Sequence, residues 1–165
     1  MRAKRESIID FILPEYISQK RDDKDMKTGK FLITGMAAGA VIWVIFFIVN
    51  TVVNIALPYN IFELGGMRAA NDPVMLLFFL HPFVLGLALA YVYPYIGKSL
   101  EGDSLRKGTK FGLMMWVVVS VPSIFLVYAS MNYPNGFTVN SIAGSFLYML
   151  AAGIVIAKIS KIDKT

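Results

Sequence analysis

His81, Ser120 and Ser123 are the residues of this chain best placed to do chemistry, because each sets a hydrogen-bonding group among otherwise apolar side chains. A polar group surrounded by hydrocarbon must find a partner, so its position marks either an interhelical bond or a binding site. An imidazole also titrates near neutrality and can pass a proton. His81 precedes Pro82, while Ser120 and Ser123 flank Val121-Pro122. Each proline removes one backbone donor and frees a carbonyl about a turn earlier, so each should bend its helix. Two facing bends would open a polar pocket from His81, Ser120 and Ser123, with Asn50 above and Ser145 alongside, able to hold a ligand or handle a proton. The simpler alternative has the serine hydroxyls bonding the freed carbonyls and His81 making a single interhelical bond. Asn54, Tyr128, Asn140 and Ser141 fall near the same interface as Asn50, so nearly all the intramembrane polarity belongs to one half of the chain's apolar layer.

Several chemistries are removed by what the sequence lacks. With no cysteine, thiolate catalysis, disulfide exchange and Cys-based metal sites are excluded. A single histidine excludes a bis-His haem or a His-rich di-iron site within one chain. No cofactor and no metal are expected. Asp, Glu, Lys and Arg are absent from the long apolar stretches, which argues against a carboxylate proton relay or an intramembrane carboxylate protease. Ser120 and Ser123 have only His81 as a base and neither sits in a nucleophile elbow, so an enzyme is the least favoured reading.

The elements that must position these residues are membrane helices. Charge is absent from residues 31–62, 73–97 and 111–157, and Pro134, Asn135 and Gly136 break the last stretch in two. A helix needs about 20 apolar residues to cross ~30 Å of hydrocarbon. Four spans follow, at about 31–55, 74–96, 111–130 and 137–157. The expectation is an all-α polytopic membrane protein: a cytoplasmic arm over 1–30, a four-helix transmembrane domain over 31–158 and a tail over 159–165. Within the arm Ile8, Ile9, Phe11, Ile12, Leu13, Tyr16 and Ile17 approximate a helical apolar stripe, predicting an amphipathic helix on the membrane surface.

Orientation follows from the basic residues. Eight lie in the arm (Arg2, Lys4, Arg5, Lys20, Arg21, Lys24, Lys27, Lys30), four in the middle loop (Lys98, Arg106, Lys107, Lys110) and three in the tail (Lys158, Lys161, Lys164). Only Arg68 falls elsewhere, so both termini and the middle loop are expected in the cytoplasm, the chain being multi-pass in a plasma (inner) membrane. The formal charge of +5 suits topology and anionic lipid better than nucleic acid, for which no recognition pattern is present. In the first outer connection Asp72-Pro73 is a helix start, placing the second helix from Pro73. Arg68 should pair there with Asp72 or Glu63. Tyr91, Tyr93 and Tyr95 read as an interfacial aromatic belt.

Small residues recur at close-packing spacing: Gly35 with Gly39, Gly108 with Gly112, Gly86 with Ala90, Gly153 with Ala157. Such pairs let helix backbones approach closely, inside the bundle or between two copies. Lys30-Phe31 and Lys110-Phe111 open the first and third spans alike, a faint sign of two hairpins in one orientation.

Gly65-Gly66-Met67-Arg68, Asp72-Pro73, His81-Pro82-Phe83-Val84-Leu85-Gly86, Lys110-Phe111-Gly112 and Val121-Pro122 together resemble a family of small four-helix prokaryotic integral membrane proteins with no assigned function. The resemblance covers residues 65–158 and implies the fold without a cofactor or a catalytic residue. The expected function is that of a non-enzymatic accessory or self-associating helix-packing module, its partners the lipid bilayer and a second copy or another membrane protein. The alternatives are a small carrier or ligand-binding bundle with an outward-facing pocket around His81, Ser120 and Ser123, and a membrane enzyme.

Overall fold

The computed structural model describes the backbone of residues 2–160 and the side chains of residues 28–160. The amphipathic stripe expected in the arm and the tail beyond Ser160 lie outside the described residues. Five helices make four crossings: α1 (Arg2–Ala56), α2 (Leu76–Ile96), α3 (Ser104–Met115), α4 (Val121–Ser130) and α5 (Asn135–Ser160). A π-helical turn, Trp116–Ser120, joins α3 to α4 within one crossing. The segments Thr28–Ala56, Pro73–Ile96, Ser104–Ser130 and Asn135–Ser160 are each long and apolar enough to cross a membrane.

Local chemistry sets the helix starts. Asp72 accepts a hydrogen bond from the Val74 amide at 2.8 Å, and Pro73 opens a short 3-10 turn that runs into α2. The third crossing begins at Ser104, earlier than the expected residue 111, because Asp103 caps it by accepting from the Arg106 amide at 2.9 Å. Gly102, at φ +113°, supplies the left-handed turn before that cap. α5 likewise starts at Asn135, so Asn135 and Gly136 form its first turn and the break is confined to the residues before them.

Two glycine contacts build two hairpins. A Cβ at Gly86 of α2 would strike the Gly35 carbonyl oxygen and sit 2.5 Å from the Gly39 nitrogen of α1. A Cβ at Gly153 of α5 would strike the Gly108 carbonyl oxygen and sit 2.9 Å from the Gly112 nitrogen of α3. Packing of α1 against α5 then joins the hairpins. Since lipid is as apolar as a leucine side chain, this association is held by van der Waals contact between backbones and not by exclusion from water.

The close-packed core lies toward the loop that carries Lys98 and Glu101. Ala38, Ile42, Leu89, Tyr93, Phe111, Met115, Met149, Ala152 and Ile156 are all buried there. Tyr93 departs from the expected aromatic belt. It is 1% exposed and meets Phe111 edge-on with ring centroids 5.0 Å apart, closing α2 onto α3, whereas Tyr91 and Tyr95 remain exposed. At the other end packing loosens. α4 buries none of its residues and approaches α5 only sparsely.

Candidate functional site

The loosened half encloses a cavity of about 370 Å³. α1 lines it with Ile42, Trp43, Phe46 and Phe47, and α2 with Phe78, Phe79, His81, Pro82 and Leu85. The π turn and α4 contribute Val119, Ser120, Ser123, Ile124, Val127 and Tyr128, and α5 lines it from Phe137 to Met149. Along α5 that interval spans about 18 Å at ~1.5 Å per residue.

The cavity exists because the third crossing changes its winding. Pro122 has no amide hydrogen, and the Val121 amide donates five residues back to the Trp116 carbonyl, widening the turn. The serine hydroxyls were expected to bond the carbonyls freed here. They do not: among the described residues Ser120, Ser123 and His81 make no side-chain hydrogen bond, so the single interhelical bond expected of His81 is absent as well. Three polar groups thus border the cavity with their hydrogen-bonding capacity unspent. Ser120 is buried, and His81 and Ser123 are on the exposed rim.

Ser145 also lines the cavity but is occupied, accepting from the Trp116 indole nitrogen at 2.9 Å and donating to the Ile142 carbonyl at 3.2 Å. Asn50 is not in the lining. It belongs to a polar knot above the cavity, in which the Tyr59 hydroxyl donates to Asn50 Oδ1 at 2.9 Å and accepts from Asn140 Nδ2 at 2.8 Å. Asn54 Nδ2 donates to the Asn50 carbonyl at 2.9 Å, and its Oδ1 accepts from the Tyr59 amide at 2.9 Å. The knot ties the end of α1 to the start of α5. Burial pushes the Tyr59 phenol above its ordinary pKa, and the bond from Asn140 pulls it partly back. Asn140 Oδ1 is buried without a partner.

Tyr59 and Asn140 were missed as members of the site. Asn140 was visible only as one polar residue among several. Tyr59 follows Pro58 in a loop, and nothing in the sequence pairs it with a side chain 81 positions away.

The outer-loop residues form a separate group. Arg68 Nη1 donates to Asp72 Oδ2 at 2.8 Å, which, ahead of the Val74 amide, holds the carboxyl below its usual range. Glu63, the other partner expected for Arg68, instead accepts from Asn60 Nδ2 at 2.8 Å. The Tyr133 hydroxyl donates to the Gly65 carbonyl at 3.0 Å and joins the two loops at this end.

Gly35, Gly39, Gly86, Gly108, Gly112 and Gly153 are all consumed in contacts within one chain. Self-association through those faces would require the hairpins to separate. Among the described residues no group of three or more His, Asp or Glu comes together to hold a metal ion. No protein-family model, curated protein or solved structure matches the chain.

Proposed function

We propose that this protein is a non-enzymatic ligand-binding bundle or small carrier of a prokaryotic plasma membrane, with the basic loop and both termini cytoplasmic and the cavity in the outer half. The observation that carries this reading is the unspent polarity of His81, Ser120 and Ser123 on one cavity. Leaving hydroxyls and an imidazole unpaired in hydrocarbon is costly, and a bound molecule removes that cost. The cavity volume is within the range of small-molecule sites, which combine apolar walls with a few convergent polar groups. No acid, base and nucleophile set accompanies these residues, which favours binding over catalysis.

The glycine faces, the basis for expecting a self-associating module, support the hairpins instead. The absence of native cysteine makes accessibility a clean test. Ser120→Cys and Ser123→Cys should react with a small maleimide in membranes, while Ala38→Cys, at a position 0% exposed, should not. If Ser120→Cys and Ser123→Cys are as inert as Ala38→Cys, the cavity is sealed and the binding role fails.

A further inference from the structure

The ligand class can be narrowed from the cavity wall, an inference that rests on the binding role just proposed. No Asp, Glu, Lys or Arg lines the cavity. A carboxylate or phosphate inside would have no counter-charge, and an ion moved out of water without one is strongly disfavoured. An ammonium would meet the rings of Trp43, Phe46 and Phe47, but even a cation–π attraction offsets only part of its lost hydration. The wall therefore selects against either sign of charge.

The open side has its own chemistry. α2 and α4 have at most marginal backbone contact, and His81 of α2 and Ser123 of α4 both border the cavity from exposed positions. Around them the rim is apolar: Phe79 is 43% and Val119 45% exposed. A rim of that kind suits hydrocarbon better than water. At the loop end Tyr59 and Phe137 line the cavity, their rings meeting edge-on at 6.0 Å. The imidazole and one hydroxyl on the rim and the buried Ser120 hydroxyl offer both donors and acceptors, a match for one hydroxyl or carbonyl group. The aromatic walls favour a flat ring, which can stack or meet an edge.

We propose that the cavity takes an uncharged, lipid-soluble, ring-bearing molecule with a hydroxyl or carbonyl group, received from the bilayer between α2 and α4 and bonded by His81, Ser120 and Ser123.

The test uses four probes that share one ring system: naphthol, naphthalene, naphthoate and naphthylmethylammonium. Each is equilibrated with vesicles that carry the full-length protein and with protein-free vesicles of the same lipid, and the saturable excess is measured. Naphthol should bind about tenfold tighter than naphthalene, the factor expected for one good hydrogen bond, and both charged probes should bind weaker than naphthol by at least about tenfold. His81→Ala with Ser123→Ala, both at exposed positions where truncation leaves the core intact, should bring naphthol to the level of naphthalene. Equal binding of naphthol and a charged probe would overturn the ligand class, as would naphthol binding that survives the double substitution. Either result would leave the binding role standing, whereas absence of saturable excess for all four, together with unreactive Ser120→Cys, would remove that role too.

Discussion

One phenol oxygen links three parts of the chain. Tyr59 donates to Asn50 of α1, accepts from Asn140 of α5 and carries the intervening loop between them. Tyr59→Phe deletes both bonds and strands the buried Asn140 amide, at a cost of about 1–2 kcal/mol, between the average for an interhelical bond in membranes and the penalty for an unpaired buried group. Thermal unfolding in detergent should show a lower Tm for the variant. The difference should depend on pH with a definite sign. Because burial raises the folded-state pKa of the phenol above 10.0, its contribution is complete below pH 10 and is lost as pH rises through the folded value. The Tm gap between wild type and Tyr59→Phe should therefore narrow at high pH, and a gap that stayed constant would separate the phenol from the knot. His81, Ser120 and Ser123 were legible in the sequence because polarity inside an apolar run is conspicuous. Their lack of partners was not, since a hydroxyl's partner depends on which backbone carbonyls the third crossing leaves within reach.

At the scale of elements the two hairpins use the same contact twice. In each, a glycine on the returning helix touches the carbonyl oxygen of one glycine and the nitrogen of another four residues on. This glycine correspondence is a stronger internal echo than the shared Lys-Phe pairs, and it lies in a different register from them: Gly35 corresponds to Gly108, which precedes Lys110, whereas Lys30 precedes Gly35. Gly86→Ala and Gly153→Ala should each destabilise the protein by about 1–3 kcal/mol, the usual cost of overpacking, because the new methyl group meets backbone that cannot rotate away. Gly144→Ala is the matched control, since its Cβ would lie 3.7 Å from Val49 in ordinary contact. Helix propensity favours Ala over Gly at all three positions, so equal losses in a denaturation series would mean a general intolerance of substitution and not backbone proximity. The glycines themselves were visible from their spacing. Which helix each would meet was open, because a small-residue face serves an intramolecular or an intermolecular neighbour equally well until the fold supplies one.

For the molecule as a whole, the division into a close-packed half and a cavity-bearing half aligns with the charge asymmetry. The core sits at the end with Lys30, Lys107 and Lys110, and the cavity at the end with Arg68. If that asymmetry sets orientation, a periplasmic reporter inserted at Asn132 should be active and one at Gly102 inactive. The opposite pattern would move the cavity to the cytoplasmic half. The amino-acid sequence alone determined the number of crossings, their approximate limits and the all-helical class, because in hydrocarbon a backbone must satisfy its own hydrogen bonds and apolar run length then dictates the rest. It also grouped most of the polar residues toward one end of the spans, since rise per residue is fixed. Only the tertiary structure decided that α4 splays from the bundle, that Tyr93 closes the core, that Asn50 and Tyr59 form a knot above the cavity, and that the glycines face one another within the chain. Those outcomes depend on rotation about the helix axes and on contacts between residues far apart in sequence, which one-dimensional spacing does not encode.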